Sequence, residues 1–531
     1  MADTELQLLP LGTSDFSTLR QRSQIYVDKT ALIYELASKP EKFFLARPRR
    51  FGKSLLVSTF ESLFKYGLKD FKGLAIEKLW KEETTYQVVR LDFSEVKNFS
   101  SAEQFQTILD RYFWQLMQIN HYESPIQTGS EGLQAFKAWL AVQKQNSVVL
   151  LIDEYDAPLT ACLNKVELFE SVRMTLAELY ATIKRNDRIL RFFFMTGITK
   201  FNKTGIFSEL NNLTDISLDS EFGSLLGYTQ KELELYFGAY LNRAAEVLNL
   251  SKENLVSELT KYYDGFCFSE DASKHVFVPW STLNFLQSPR RGFRNYWYES
   301  GGQPRVLLEY IKSHSIKEPA EYEREKKVRI SALSGSANPD TISDLVLLTQ
   351  AGYLTIKAVK DMNVTLGYPN VEVALSMGHL YAEIMLNEDA MERTGDGLLG
   401  DYLRAGKAKQ FVEEVNRIIL GVDHTRYPLT NEAACRGAVH LMLTCSQLTP
   451  IPEVHNALGE SDLEVDAGDY HWVLEFKFVG AKDSAEGLCK KGVEQVKTHK
   501  YGEQFERKYL RRLVLVFAQE AKQFVCWSEV N

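Results

Sequence analysis

The sequence predicts an α/β protein of more than one domain, and three observations carry that prediction. At 531 residues the chain is longer than one hydrophobic core usually serves. Residues 1–225 alternate short apolar runs with helix-like periodicity, the pattern of a layered α/β domain with a parallel sheet. The last part of the chain ends in an acidic β-hairpin, a helix and two further strands, the pattern of a second and smaller α/β unit.

In chain order, FFLA (43–46), YQVVRLDF (86–93), SVVLLID (147–153) and LRFFFMTG (190–197) read as buried strands. Helical stretches near 102–118, 130–143 and 165–185 separate them. At about residue 228 the pattern becomes mostly helical, opening on a capping box from Thr229 to Glu232. TISDLVLLTQAGYLTIKAVKDMNVTLGYPNVEVAL (341–375) reads as a helix and a hairpin, the layout of a winged-helix unit. The charged, small-residue stretch 318–340 is expected to be a loop. These breaks divide the chain at 1–225, 226–385 and 386–531.

Composition narrows the function classes. A net charge of −8 means that any nucleic-acid contact has to come from local basic patches. No apolar run reaches the length of a membrane span, and the N-terminus has no basic region ahead of an apolar one, so a cytoplasmic, non-secreted protein is expected. Six cysteines without a C-x-x-C pair fit reduced, buried thiols and argue against structural zinc.

Gly52-Lys53-Ser54 ends a phosphate-binding loop, although Arg47 stands where the usual pattern has its first glycine. The tripeptide alone arises by chance in surface turns. Here it follows an apolar strand and opens an amphipathic helix, so backbone N–H groups and the helix N-terminus can face phosphate oxygens. Lys53 would reach the β/γ-phosphates of ATP, and Ser54 would offer its hydroxyl to Mg²⁺. Asp153 and Glu154 close a buried strand, Asp153 suited to the Mg²⁺ shell and Glu154 to the base that orients water. Solvated acids at a strand end are the plain alternative. Thr196 and Thr199, on the strand LRFFFMTG and just after it, suit γ-phosphate sensing or equally turn formation. Arg185 and Arg188 would be fingers into a neighbouring copy of a homo-oligomer, or simply helix-end charges.

YVDKT (26–30), RPRRFGKS (47–54), LIDEYD (151–156), GIFSELNNLTDISL (205–218), YYDGF (262–266) and PWSTLNFL (279–286) occur in this order. Together they resemble the bacterial AAA-ATPase-like proteins that carry a C-terminal PD-(D/E)XK nuclease-like domain. The resemblance implies that Arg47, Pro48, Arg49, Arg50, Phe51, Gly52, Lys53 and Ser54 are themselves the phosphate loop. Arg47, Arg49 and Arg50 would then add positive charge beside the phosphates, unless one of them pairs with an acid such as Asp28. The implied fold is a P-loop NTPase parallel sheet, a helical and winged-helix middle module, and a small restriction-endonuclease-like α/β domain.

The PD-(D/E)XK layout needs an acid at one strand and an acid-x-Lys on the next. Alternation puts Glu475 and Lys477 on one face and Phe476 on the other. Asp462 and Glu475 would hold a divalent cation and Lys477 would act on the attacking water. Glu432 adds a further acid, and Gln495 resembles a helix glutamine of such domains. An exposed acidic hairpin is the bland alternative. Glu460 stands where the resemblance expects arginine, which puts substrate contact in doubt. Basic stretches at 490–512 and 288–298 offer a track for DNA, the expected partner, with RNA left open. The expected whole is an ATP-hydrolysing protein joined to a Mg²⁺-dependent nuclease-like domain acting on DNA. The resemblance adds mobile-element or phage-defence biology. The main rival is a nucleotide-switched interaction protein whose C-terminal domain only binds, and a second is an ATPase that remodels nucleic acid without cutting it.

Overall fold

The computed structural model describes residues 6–530 apart from 126–130, 164, 201–211, 301–306, 308–321, 323–325, 335–342, 386–397, 423, 425–426, 447, 481–482 and 504–508. Two compact units emerge, one formed by residues 1–315 and 325–372, the other by 316–324 and 373–531. Residues 226–315 and 325–372, set apart as a module by their sequence pattern, thus cluster with the N-terminal sheet.

The first unit is built on β1 (Lys42–Ala46), β2 (Gln87–Asp92), β3 (Val148–Asp153), β4 (Leu190–Gly197) and β5 (Thr214–Asp215). They form one parallel sheet in the order β2-β3-β4-β1-β5. All six residues of β3 are buried, as an apolar run covered on both faces requires. The chain leaves β1 and returns at the far edge in β2, so β4 comes to lie between β1 and β3. The carboxyl ends of β1, β4 and β3 therefore stand side by side, where open α/β sheets bind ligands.

The helix Lys53–Tyr66 is fixed over that end by aromatic packing. Phe60 meets Phe192 and Phe194 of β4 at 5.0 and 4.9 Å between ring centres, and Phe64 stacks on Phe192 at 5.0 Å. The chain enters this helix through Gly52 at φ +93, a conformation that glycine adopts without a Cβ penalty.

Helices Gln230–Leu248, Lys252–Tyr263 and Pro279–Gln287 follow. The expected capping box is present: Thr229 and Glu232 satisfy each other's backbone N–H groups. A short pairing joins β6 (Phe266–Cys267) and β7 (His275–Val276). The predicted helix and hairpin are seen as Asp344–Ala351 followed by β9 (Thr355–Lys360) and β10 (Asn363–Gly367). One expectation fails: within the stretch read as a loop, β8 (Lys326–Arg329) pairs with β10 and a short helix, Ile330–Ser334, follows. Burial explains it, because Val328, Ile330 and Leu333 pack with Ile356, Val364 and Leu366. Apolar side chains inside a charged stretch are enough to recruit it to a sheet edge.

The second unit carries β11 (Pro450–Asn456), β12 (Gly459–Ala467), β13 (Tyr470–Phe478), β14 (Tyr509–Ala518) and β15 (Gln523–Val530), paired in that order. Only β13 and β14 run parallel, which calls for a crossover, supplied by the helix Ala485–Thr498. That helix places Cys489 and Val496 against Val473, Val514 and Val516. Trp472 belongs to the alternate set of β13 residues, and its Nε1 donates to the Leu403 carbonyl at 3.1 Å. β11, an edge strand containing Pro450 and Pro452, has no counterpart in the sequence reading.

Candidate functional sites

At the carboxyl ends of β1 and β3 lies a cavity of about 600 Å³, within the range of small-ligand pockets. The loop residues Arg49, Arg50, Phe51, Gly52, Lys53 and Ser54 line it, together with Glu154. Pro10–Ser14, Tyr26, Lys29, Ser94, Lys97, Leu225–Tyr228 and Trp280 also belong to the wall, and the sequence assigned none of these to it. YVDKT is thereby explained in part. Asp28 accepts from the backbone N–H groups of Thr30 and Ala75, and Lys29 holds Glu232 at 2.6 Å. No arginine is needed to neutralise Asp28 in this arrangement.

Lys53 is buried, and its Nζ donates to the carbonyls of Arg47 at 3.0 Å and Pro48 at 2.9 Å. Burial lowers the pKa of this lysine, while Asp153 and Glu154 oppose that shift. Burial likewise raises Asp153 and Glu154, with Lys53 pulling both back. The nearby Ser54 hydroxyl also lowers Asp153, whose Oδ1 accepts from the Glu154 N–H at 3.1 Å and whose Oδ2 is buried without a hydrogen-bond partner. A hydroxyl beside a carboxylate oxygen with unused acceptor capacity fits a hard divalent cation. Glu154 sits in the left-handed region at φ +48, an uncommon conformation in the turn leaving β3.

The other loop residues divide. Arg47 is 1 % exposed and faces away from the cavity wall. Its guanidinium donates to the Ser217 carbonyl at 2.6 Å and to those of Ala46 and Phe222, and lies 4.3 Å from the Phe268 ring centre. Arg47 therefore ties the loop to the segment after β5, a different place from the phosphate-side position expected of it. Pro48 is buried beside it, against Gly352. Arg50, at φ +71, donates to Ser300 and lies 4.3 Å from the Trp280 ring centre. Trp297 Nε1 donates to the Arg49 carbonyl at 3.3 Å. Phe51 packs edge-on against Phe266 and Phe268, which accounts for part of YYDGF.

Thr196 is buried at the end of β4, and its hydroxyl donates to the Leu45 carbonyl at 2.8 Å. Thr199 gives its hydroxyl to Asp156 at 2.7 Å. Arg185 donates to Thr182 within its own helix. The first half of the GIFSELNNLTDISL stretch, residues 205–211, lies outside the described residues.

In the second unit, β12 and β13 bring Asp462, Glu475 and Lys477 together. Lys477 Nζ is 2.7 Å from Glu475 Oε1 and 3.0 Å from the Phe476 carbonyl. Asp462 Oδ2 accepts from the Phe476 N–H at 2.7 Å. Glu475 is 1 % exposed, and burial, then the Asp462 charge, push its pKa up to about 7. Burial alone would lower Lys477, but the charge and hydrogen bond of Glu475 hold it above its ordinary value. Glu475 Oε2 is buried without a hydrogen-bond partner, which again fits a cation. Glu432 is exposed in the first turn of the helix Glu432–Cys445 and reaches this site through its charge. Among the described residues no three His, Cys, Asp or Glu side chains gather closely enough to ligate one ion. Two carboxylates completed by water suit magnesium, which keeps several waters. Gln495 Nε2 is 3.4 Å from the Tyr501 hydroxyl.

Sequence reasoning missed Arg436. It projects from that same helix, one turn after Glu432, and Nη1 lies 3.7 Å from Asp462 Oδ1. The basic stretches also lose members. Arg511 pairs with Glu529, and Arg512 is buried against Tyr501 and Glu503, leaving Lys490, Lys491, Lys497 and Lys500 exposed. Arg507 and Lys508 lie outside the described residues. In the other stretch Arg290, Arg291 and Arg294 are exposed, but Tyr296 and Trp297 are buried and Phe293 stacks on Phe285, so these aromatics serve the core.

A parallel sheet that sets Lys53 and Ser54 beside Asp153 and Glu154, and a mixed sheet that pairs Asp462 with Glu475-x-Lys477, define an NTPase-like and a nuclease-like site on one chain. Comparison with known families agrees. Residues 10–207 match the family described as predicted AAA-ATPase, and residues 430–527 match the PD-(D/E)XK nuclease superfamily, so the chain carries one domain of each kind. It is also 29 % identical over 510 residues to a protein from Azotobacter chroococcum, described as an uncharacterized protein in the vnfD 5′ region. That alignment covers 94 % of this chain and 93 % of the relative. Among the described residues no helix is long and apolar enough to cross a membrane.

Proposed function

We propose that the protein binds and hydrolyses ATP in its first unit and cuts DNA with a metal-dependent nuclease site in its second. The observation that supports this best is that each site sets a lysine in the field of a buried carboxylate that has an oxygen lacking a hydrogen-bond partner. In the first site Lys53 would turn from the loop carbonyls to the β/γ-phosphates, and Glu154 would orient the attacking water and take its proton. Ser54 and Asp153 would hold Mg²⁺, which would supply charge neutralisation between the phosphates.

In the second site Asp462 and Glu475 would hold the divalent ion, whose chemistry there is to lower the pKa of water and to neutralise developing charge. Glu432 would reinforce it through its field. Lys477 would position the nucleophilic water for attack on phosphorus, with the P–O bond to the leaving deoxyribose breaking. The exposed lysines at 490–500 would track the DNA backbone. Mobile-element or phage-defence biology rests on the family resemblance alone.

A second reading has its own observation. Glu460 replaces a cation beside Asp462, and its carboxylate lies 3.8 Å from His455, which favours a binding module switched by nucleotide. Plasmid incubated with the intact chain, with and without ATP and Mg²⁺ or Mn²⁺, separates the two. Metal-dependent nicking that disappears in Lys477→Ala supports the nuclease. Equal nicking by wild type and Lys477→Ala, or none by either, hands the second unit to the binding-module reading.

A further inference from the structure

Resting on the nuclease reading, the geometry points to Arg436 as the residue that contacts the DNA phosphodiester, taking over in space the role of the cation absent at position 460. Arg436 reaches into the site from the helix Glu432–Cys445, with a side chain 21 % exposed. Nη2 is 2.8 Å from Glu453 Oε1, and Nη1 is 3.7 Å from Asp462 Oδ1. Glu453 falls between the pairs Pro452↔Leu463 and Val454↔Ser461, which sets it across from Asp462 on the neighbouring strand. It stands at φ +53, off the strand conformation. Two carboxylates from adjacent strands thus receive one guanidinium from a helix.

The two contacts differ, and the difference supports the assignment. The Glu453 contact has the length of a charge-assisted hydrogen bond and anchors the side chain. The Asp462 contact is too long for a hydrogen bond and is held by charge alone. Asp462 is itself oriented from the other side by the Phe476 N–H, so it does not need Arg436 for its position. A guanidinium has five N–H donors in a planar fork, which matches two oxygens of a phosphate. Once a divalent ion takes up the charge of Asp462, Arg436 keeps its anchor on Glu453 and can turn the other edge of the fork to the substrate. Lys477 is less suited, because its Nζ is engaged by Glu475 and the Phe476 carbonyl. Glu460, 42 % exposed, supplies no cation.

The test uses the intact chain on supercoiled plasmid with Mn²⁺. Arg436→Ala should lower the nicking rate by about 100-fold or more, the scale of losing one preorganised donor to developing charge. Arg436→Lys should keep part of the rate as a point charge. Both variants should retain the upward Tm shift caused by Mn²⁺, which a residue that merely frames the ligands would not leave intact. The double variant Arg436→Ala/Glu460→Arg should recover nicking, because it returns a cation to the strand beside Asp462. In a Lys477→Ala background with Ca²⁺, Arg436→Ala should lower the slope of log K against log salt for a labelled duplex by about 0.9, the value for one phosphate contact. Wild-type nicking in Arg436→Ala with an unchanged salt slope would overturn the assignment and leave the nuclease reading standing. Loss of the Mn²⁺ shift together with nicking would make Arg436 part of the ligand frame and also overturn it. Absence of both nicking and duplex binding in the wild type would overturn the nuclease reading and this assignment with it.

Discussion

The phosphate loop and the acidic hairpin are built on the same device with opposite sign. At the loop a cation is desolvated: Lys53 is buried, its charge disfavoured by burial and supported by Asp153 and Glu154. At the hairpin an anion is desolvated: Glu475 is buried, its charge disfavoured by burial and then by Asp462, and supported by Lys477. Burying an ionisable group without full compensation costs free energy, and an incoming ion of opposite sign recovers it. The loop is thereby disposed toward phosphate and the hairpin toward metal. Their supports differ as well. The loop is held by backbone and aromatic contacts from distant segments, the hairpin by alternation along two adjacent strands.

The largest expected effect breaks one half of that comparison. Lys53→Ala should weaken ATP binding by at least about 100-fold, because it removes a charged partner of the phosphates. The Mn²⁺-induced Tm shift of the same variant should be unaffected. A labelled-ATP titration that shows wild-type affinity in Lys53→Ala would remove the loop from the nucleotide site. Glu154→Gln should bind ATP normally and turn over about 100-fold more slowly or worse, since an amide cannot take a proton from water.

Next comes the hairpin. Metal binding stabilises by mass action, roughly 2.7 kcal/mol at a concentration of 100 times Kd. For a unit of this size that is a Tm rise of about 5 to 10 °C. Asp462→Asn and Glu475→Gln should each lose most of that rise in Mn²⁺ while leaving ATP affinity alone. A full rise in both variants would show that the stabilising ion sits elsewhere.

How much of this was legible depends on how local it is. Gly52-Lys53-Ser54 is readable because strand, loop and helix are contiguous, and Glu475-x-Lys477 because strand periodicity is two. The place of Arg47 was not readable, since it is set by Ser217, Phe222 and Phe268, which the fold alone brings near. Arg436 was hidden for the same reason. Its partners Glu453 and Asp462 are aligned by the pairing of β11 with β12, and an edge strand with two prolines carries almost no pattern. β8 was hidden by composition, because a charged stretch reads as solvated until Val328 is seen to pack. The cavity wall from Pro10–Ser14 belongs to no motif, and PWSTLNFL does not by itself tell that Trp280 faces the loop, because the fold alone brings these separate segments together. Arg47→Met sharpens the point. It should lower the Tm, since it leaves the Ser217 and Phe222 carbonyls without their donor, and it should do so with or without saturating ATP. A selective loss of ATP affinity at unchanged Tm would return Arg47 to the phosphates.

The smallest expected effect concerns how the loop is supported. Glu372 is fully buried and accepts from the Trp297 N–H at 2.9 Å, and Trp297 in turn donates to the Arg49 carbonyl. Burial pushes the Glu372 pKa up to about 8, against the opposing hydrogen bond from the Trp297 N–H. A carboxyl whose folded pKa lies above its unfolded value holds more protons in the folded state between the two. Stability therefore falls as pH rises from about 4.5 to about 8, and no further above that. Glu372→Gln keeps an acceptor for the Trp297 N–H but cannot ionise. Its urea midpoint should thus decline less than that of the wild type across this window, and the two curves should approach one another at the acid end. Ligands are not needed for the effect, so it should appear equally in ATP-free and metal-free protein. Parallel curves for the two proteins would mean that Glu372 is ionised throughout. The support beneath Arg49 would then be an ion held by its hydrogen bonds, and a fully charged Glu372 beside Trp297 would make the loop's foundation resemble the hairpin more closely than the loop itself.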